Sequence, residues 1–253
     1  MTTSIMRIMS ASAALSLLAS FALAQAQEEP AESFIYATYF NCDVSSQERA
    51  DEIVQQLNQP LWEAAVSDGT IAGWGWLVHH TGGKWRRAMY YRAPSIEALF
   101  AAQEKVGDQI DAKNKKLSTE FGAICNSHDD YVWSPVAGKG SEGVRGKASF
   151  SVYYECDITR EEEADALVKL VFAPIFDKLI AEGKLISWGW NEHIVGAQYR
   201  RLSTITAGDT TALMKARAAI VEAVQDMPLS RTFDGICGPH ADYVWDIKAE
   251  KVK

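Results

Sequence analysis

Two halves of this chain carry the same residues in the same order, and this recurrence limits the possible folds more than any other feature. The residues of the first half are Tyr39, Cys42, Asp43, Trp74, Gly75, Trp76, His79, Gly82, Arg86 and Arg87, and 114 positions later stand Tyr153, Cys156, Asp157, Trp188, Gly189, Trp190, His193, Gly196, Arg200 and Arg201. A second block, with His128, Tyr131 and Trp133, returns after 112 positions as His240, Tyr243 and Trp245. A spacing this long predicts two tandem domains rather than a solenoid.

The first 26 residues form a separate segment with the pattern of an export signal. A single Arg7 precedes an apolar run from Ala13 to Leu23, and small residues follow it. This run is too short and wrongly flanked for a membrane-spanning helix, and no later stretch reaches the roughly 20 apolar residues that such a helix needs. The predicted organisation is a signal peptide at 1–26, a first repeat at 33–135, a linker at 136–147 and a second repeat at 148–247.

The charge of the chain argues against a nucleic-acid partner. Its formal net charge is −8, whereas nucleic-acid binding depends on basic surfaces. Together with the export signal and the absence of a membrane span, this predicts a soluble protein that is periplasmic or secreted after cleavage of the signal peptide.

Four cysteines, two in each half, fit an oxidising compartment. The simplest pairing joins Cys42 to Cys125 and Cys156 to Cys237, although four cysteines allow three pairings. Zinc binding is the competing interpretation. It is weak because neither pair has close Cys-x-x-Cys spacing, and we expect no metal.

Each half predicts the element order β-α-β-β-α-β. Aromatic and β-branched residues from Phe34 to Asn41 indicate a first strand, and two strands around a Gly-rich turn at Gly82 indicate a hairpin. Pro60 and Pro174 interrupt the first helix of each half. This order is that of the ferredoxin-like unit, an antiparallel sheet in the order 4-1-3-2 with both helices on one face. We expect the two uncovered sheet faces to pack together.

With this topology and duplication, the chain resembles the dimeric α+β barrel superfamily, its two halves fused into one polypeptide. The likeness covers Phe34 to Ile247 and has no catalytic signature. The resemblance implies an α+β barrel built from two ferredoxin-like repeats. Members of the superfamily include cofactor-independent monooxygenases, haem-handling enzymes and small ligand-binding or stress-response proteins, so the chemistry stays open.

The four tryptophans of the doubled Trp-Gly-Trp motif are the first candidate site. Trp74, Trp76, Trp188 and Trp190 form either an aromatic cage for a flat apolar ligand or simple packing between the sheets. Tyr39 and Tyr153 contribute hydroxyls to the same cavity or serve only strand packing.

The recurring histidines are the second candidate. His79 and His193 are candidate catalytic bases, and His128 and His240 are candidate ligand-binding residues. In a 4-1-3-2 sheet the second and fourth strands are opposite edges, so a histidine cluster forms only between the halves, as with His79 and His240. The alternative is that each histidine bonds a neighbouring loop.

Arg87 and Arg201 are expected on central strands, where a buried guanidinium needs a partner. Asp130 and Asp242 are the default partners in a structural ion pair. The alternative is an anionic ligand such as a carboxylate or phenolate.

Three functions stay open. The leading hypothesis is an exported protein that binds a small apolar or aromatic molecule in a tryptophan-lined cavity, without a cofactor. The second is a cofactor-independent monooxygenase or related oxidoreductase, in which His79 or His193 removes a substrate proton. The third is a barrel without a pocket that mediates protein contacts. Phosphate-binding loops, serine-hydrolase elbows and zinc-protease helices are absent from the sequence.

Overall fold

A computed structural model describes residues 33–140 and 146–253, so the predicted signal peptide at 1–26 lies outside the described residues. The first half contains β1 (Phe34–Asn41), α1 (Gln47–Ile53), α2 (Gln59–Ser67), β2 (Gly73–Gly82), β3 (Arg87–Ala93), α3 (Ile96–Ile124) and β4 (Ser127–Gly140). The second half contains β5 (Ala148–Tyr154), α4 (Glu161–Leu167), α5 (Ala173–Ala181), β6 (Ser187–Val195), β7 (Arg201–Ala207), α6 (Thr210–Val224), α7 (Pro228–Ile236) and β8 (His240–Val252).

The eight strands close into one antiparallel barrel in the order β1-β3-β2-β8-β5-β7-β6-β4. Within each half the order is the predicted one, β4-β1-β3-β2 and β8-β5-β7-β6. The α+β barrel is therefore confirmed, and the helix-free faces of the two halves pack against each other inside it. The halves also join edge to edge, because pairing β2 with β8 and β4 with β6 satisfies the backbone groups of all four edge strands.

The helices cover the outside of the barrel. Two apolar cores lie between helices and strands, one in each half, and a third lies inside the barrel. The predicted interruption of the first helix is confirmed in both halves. π-helical turns at Val54–Asn58 and Val168–Phe172 lie just before Pro60 and Pro174. The backbone nitrogen of proline carries no hydrogen, so it cannot donate a hydrogen bond to the preceding turn.

A buried arginine connects sheet and helix in each half. In the first half Arg87 binds both carboxylate oxygens of Asp51, at 2.6 and 2.7 Å, and the indole N–H of Trp76 donates to the same carboxylate at 2.9 Å. The second half contains the equivalent group, formed by Arg201, Asp165 and Trp190. The predicted partners Asp130 and Asp242 are therefore wrong, because both arginines point to the helix layer, where α1 and α4 supply the carboxylates.

Both predicted cysteine pairings are present. Cys42 and Cys125 lie at disulfide distance, as do Cys156 and Cys237, and each pair connects the end of a first strand to the end of the last helical segment of its half.

The strands β4 and β8 run further than predicted. β4 continues to Gly140, so residues 136–140 of the predicted linker are in a strand, and β8 continues to Val252, beyond the predicted end at 247. Each extension pairs with the opposite half, which is why the sequence of one half alone does not reveal it. Of the helices in residues 33–140 and 146–253, none has the length and apolar character needed to cross a bilayer.

Candidate active site

One end of the barrel interior is filled by aromatic side chains, which we call the aromatic plug. Its members are Tyr39, Trp85, Tyr131, Trp133, Tyr153, Tyr199, Tyr243 and Trp245. Trp85, from the β2–β3 hairpin, lies at the centre, with ring centroids 4.3 Å from Tyr39 and 5.0 Å from Tyr243. Its indole N–H donates to Asp129 at 2.6 Å. The plug fills only this end of the barrel interior, so a ligand can bind only at the opposite end.

That opposite end holds a cavity of about 570 Å³. The plug members Tyr39, Tyr153 and Trp133 form its boundary on the plug side, and the exposed residues Lys139 and Lys253 lie at its rim. The volume lies within the range of small-molecule sites, roughly 300 to 1,000 Å³. The hypothesis of a barrel without a pocket is therefore wrong for this end of the molecule.

Three strands place a phenol and a carboxyl together in the cavity. Gly75 of β2 pairs with Tyr90 of β3 on one side and with Glu250 of β8 on the other. A Cβ at position 75 would lie only 2.5 Å from the ring of Tyr90, so the glycine is required for that ring to cross β2. The hydroxyl of Tyr90 donates a hydrogen bond to Oε1 of Glu250.

Burial changes the acidity of Glu250. Desolvation in the barrel raises the pKa of its carboxyl from 4.5 to about 8. A carboxyl in a cavity with a pKa near neutrality is suited to accept and return a proton. Arg92, two positions after Tyr90 on the same face of β3, also lines the cavity.

The opposite side of the cavity carries neutral polar groups, and we call it the hydroxyl wall. Its members are Ser149, Ser151, Ser187, Asn191, Thr204 and Thr206. Ser187 and Thr206 share a hydrogen bond of 2.5 Å, and the amide of Asn191 donates to the carbonyl of Leu202 at 3.2 Å. The cavity thus has an ionisable side and a neutral side.

The structure places the four predicted tryptophans mainly outside the barrel. Trp74 and Trp76 belong to the core between helices and sheet, and so do Trp188 and Trp190 in the other half. Only Trp188 also borders the cavity, and its indole N–H donates to Asp177 on α5 at 2.8 Å. The proposed tryptophan cage is wrong, because alternation along the strand turns the glycines of Trp-Gly-Trp inward and the indoles outward.

Tyr39 and Tyr153, in contrast, do border the cavity, as predicted. Their rings lie edge to face with centroids 5.2 Å apart. Burial raises the pKa of both hydroxyls, so they are neutral at physiological pH.

None of the predicted histidines lines the cavity. His79 lies against the plug, 6.2 Å from the ring of Trp245, and His193 lies 6.1 Å from the ring of Trp133. Burial and the adjacent arginines Arg86 and Arg200 lower the pKa of both imidazoles.

The other two predicted histidines lie on the surface at the starts of β4 and β8. His128 contacts Asp130 at 2.9 Å, and His240 contacts the carbonyl of Gly238 at 2.7 Å. The predicted meeting of His79 with His240 does not occur, since each has a partner within its own half.

The residues that reasoning from the sequence missed are Glu250, Tyr90, Arg92 and the hydroxyl wall. All of them differ between the halves, and so none belongs to the recurring set that marks the candidate residues in the sequence. The usable signal was the replacement of Gly138 by Glu250 at the 112-residue spacing.

The cavity offers no histidine or cysteine ligand for a haem group. None of the five histidines borders it, and all four cysteines are in disulfides, so the common histidine and cysteine ligands of haem iron are missing. Within the described part of the chain, no group of three or more His, Cys, Asp or Glu side chains is arranged to hold a metal ion.

Solved structures share this fold at low sequence identity. A candidate monooxygenase from Lactobacillus acidophilus NCFM aligns with a TM-score of 0.60 and 7% identity, over 87% of this chain and 96% of the other. A candidate monooxygenase from Fusobacterium nucleatum subsp. nucleatum gives 0.58 and 10%, over 88% and 95%. An anthrone oxidase-like protein gives 0.54 and 14%, over 88% and 94%. These likenesses show the α+β barrel fold.

No protein-family model matches the chain, and the search of curated protein sequences finds no match.

Proposed function

We propose that this protein is a cofactor-independent monooxygenase that oxidises a flat aromatic molecule with an acidic C–H bond, such as an anthrone. The observation that carries the proposal is the half-buried Glu250 carboxyl, held by Tyr90 inside a cavity with an aromatic floor. The structural similarity to candidate monooxygenases and to an anthrone oxidase-like protein supports the same class of reaction.

The geometry assigns a step to each group. The Glu250 carboxylate removes one proton from the CH₂ group, and the resulting carbanion is delocalised onto the ring oxygen. The carbanion donates electrons to O₂ and forms a C–O bond, and the proton held by Glu250 returns to the terminal peroxide oxygen. Loss of water, with cleavage of the O–O bond and removal of the second hydrogen, leaves a carbonyl group. One CH₂ and one O₂ thus yield one C=O and one H₂O.

The neighbouring side chains have supporting roles in this proposal. Tyr90 donates to Glu250 and fixes the direction of the carboxyl. The neutral hydroxyls of Tyr39 and Tyr153 can donate hydrogen bonds from the floor of the cavity, beneath the rings of the substrate. The aromatic plug excludes water from the same side. Because the pKa of Glu250 is about 8, the fraction of active carboxylate increases up to that pH.

The experiment follows oxygen uptake with anthrone as the probe, together with formation of anthraquinone by mass spectrometry. We expect one O₂ per anthrone, and a kcat/KM that increases with pH and levels off above about pH 8. Glu250→Gln keeps the shape but cannot accept the proton, so kcat should decrease by about 10² to 10⁴-fold.

Glu222→Gln, an exposed substitution on α6, is the matched control and should leave the rate unchanged. Oxygen uptake that is unaffected by Glu250→Gln would overturn the assignment of the base.

A protein that binds an aromatic molecule without turnover is the second candidate, favoured by the closed aromatic floor of the cavity. Trp133 borders the cavity, so a bound ring system should quench tryptophan fluorescence. Saturable quenching by anthrone without oxygen uptake would select this function over the monooxygenase.

We further infer that the two halves arose by duplication of one ferredoxin-like unit and that the protein is exported. The recurring residues and the matching strand order support the first inference, and the two cysteine pairs at disulfide distance are compatible with an extracellular location. Mass spectrometry of the mature protein would test export through the position of its first residue.

A further inference from the structure

The two places where the halves join lie on opposite sides of the barrel and have the same strand register. At the β2–β8 junction, Tyr90, Gly75 and Glu250 stand side by side on three strands. At the β4–β6 junction, Thr204, Gly189 and Gly138 occupy the equivalent positions. The barrel therefore contains one phenol–carboxyl pair and one position where that pair is missing.

At the second junction, large and ionisable groups are replaced by small neutral ones. Threonine stands at 204 where tyrosine stands at 90, and glycine stands at 138 where glutamate stands at 250. Thr206 likewise replaces Arg92. The exchange replaces the combined volume of a tyrosine and a glutamate side chain by that of one threonine side chain.

The same half supplies the remaining polar groups of the hydroxyl wall. Ser149, Ser151 and Asn191 occupy the positions where the other half has apolar side chains; those side chains are Ile35, Ala37 and Leu77. All six border the one cavity. A molecule in this cavity meets neutral hydrogen-bonding groups on this side and the ionisable side chains of Tyr90, Arg92 and Glu250 on the other, so its two possible orientations are not equivalent.

We propose that the β4–β6 junction is the specificity pocket for the part of the substrate remote from the reacting carbon, and that it selects ring systems with oxygen substituents at that end. The proposal rests on the proposed monooxygenase function. A substrate that extends from Glu250 across the barrel reaches the hydroxyl wall, where Thr204 and its neighbours bind oxygen atoms. In an anthrone the CH₂ and the C=O lie at opposite edges of the central ring, which matches the two sides of the cavity.

Two probes test this arrangement by binding alone. The dissociation constants of anthrone and 1,8-dihydroxyanthrone are measured under argon by tryptophan fluorescence, so that turnover plays no part. The dihydroxy compound, whose hydroxyls flank the C=O, should bind more tightly. Thr204→Val removes one hydroxyl at nearly constant volume and should reduce this preference by about threefold to tenfold, the range for one hydrogen bond.

Thr204→Tyr tests the space at the junction. The ring of Tyr90 lies over Gly75, and position 204 pairs with Gly189 in the same way. We therefore expect the introduced tyrosine ring to lie over Gly189 and to fill the pocket. We expect both probes to bind at least tenfold more weakly. Ser203→Ala, on the outward face of the same strand, is the matched control and should change neither constant. Circular dichroism establishes that each variant is folded.

The results separate this proposal from the proposed function. If Thr204→Val leaves the preference unchanged and Thr204→Tyr binds both probes normally, the specificity pocket is refuted, even if Glu250-dependent oxygen uptake persists. If the Thr204 variants behave as expected but the wild-type protein consumes no oxygen, the pocket is supported and the monooxygenase function is refuted.

Discussion

The two ends of the barrel interior differ in how they relate to the internal recurrence. At the plug end the halves contribute the same aromatic residues, since Tyr39, Tyr131 and Trp133 have the counterparts Tyr153, Tyr243 and Trp245. At the cavity end most counterparts differ, as for Tyr90 and Thr204 or Gly138 and Glu250, although Tyr39 and Tyr153 recur there too. Most recurring aromatic residues therefore fill the plug, whereas most polar residues of the cavity differ between the halves.

The helix layer follows the same rule as the plug. The groups around Arg87 and Arg201 are equivalent, and so are the two cysteine pairs. Each half packs a layer of helices on a curved sheet, and equivalent residues make this contact in both halves. A ligand in the barrel cavity contacts both halves at once, so no such constraint keeps the two sides of the cavity alike.

The largest expected effect is a loss of stability on breaking the buried arginine–carboxylate contacts that recur in both halves. Asp51→Ala leaves the guanidinium of Arg87, which is only 3% exposed, without its carboxylate, whereas Asp165→Ala leaves Arg201 with Glu161 at 3.3 Å. Asp51→Ala should lower the free energy of unfolding by about 3 to 5 kcal/mol, and Asp165→Ala should lower it less. Urea denaturation measures this change.

In the same Asp51→Ala and Asp165→Ala proteins, the affinity for anthrone at low denaturant is the control and should stay unchanged. A loss of affinity without loss of stability would contradict the separation of structural and cavity residues.

The next effect concerns the cavity end and depends on pH. Glu250 has a folded-state pKa of about 8 against its ordinary value of 4.5, so the folded state holds its proton more tightly. The resulting stabilisation is complete below pH 4.5 and is lost as the pH rises through 8. Between pH 5 and pH 8.5 the wild type should lose roughly 3 to 4 kcal/mol relative to Glu250→Gln.

Paired urea titrations of wild type and Glu250→Gln across this range provide the measurement. Taking the difference cancels the other titrating groups. A difference that is constant with pH would show that Glu250 titrates normally.

The fold was accessible from the sequence because its determinants are local and doubled. Strand alternation, the interruptions at Pro60 and Pro174 and the cysteine spacing each predict structure within one half. Which strand edges pair to close the barrel was not accessible from the residues of one half, since the pairing of β2 with β8 and β4 with β6 depends on contacts between halves. Glu250 lies in such an extension, beyond the predicted end of its repeat.

The site was predicted only in part for a related reason. Tyr39 and Tyr153 were found because they recur and also border the cavity. The inward or outward direction of Trp74 and Trp76 depends on which face of β2 is covered by helices, and the strand pattern alone leaves that undecided. Burial beneath α1 and α2 settles it.

A matched pair of glycines gives the third prediction. A Cβ at Gly75 would lie 2.5 Å from the ring of Tyr90, whereas at Gly189 its nearest contact is the hydroxyl of Thr204 at 3.0 Å. Gly75→Ala should therefore destabilise the protein by about 1 to 3 kcal/mol and displace Tyr90 from Glu250. Gly189→Ala should cost less than about 1 kcal/mol.

Thermal unfolding compares the two glycine variants, and the pH dependence of anthrone turnover reports on the phenol–carboxyl pair. Equal destabilisation by both substitutions would mean that the two junctions are packed alike.

The smallest effect is expected at the recurring histidines. His79 and His193 contact Arg86 and Arg200 beside the plug and do not border the cavity. Glutamine keeps a polar partner for each arginine, so His79→Gln and His193→Gln should change the free energy of unfolding by less than about 1 kcal/mol. Anthrone turnover and its pH profile should stay within twofold of wild type, because proton transfer requires a group within reach of the substrate. Loss of turnover in a stable, folded His79→Gln protein would move the catalytic base to the plug end and reverse the assignment of the two ends of the barrel.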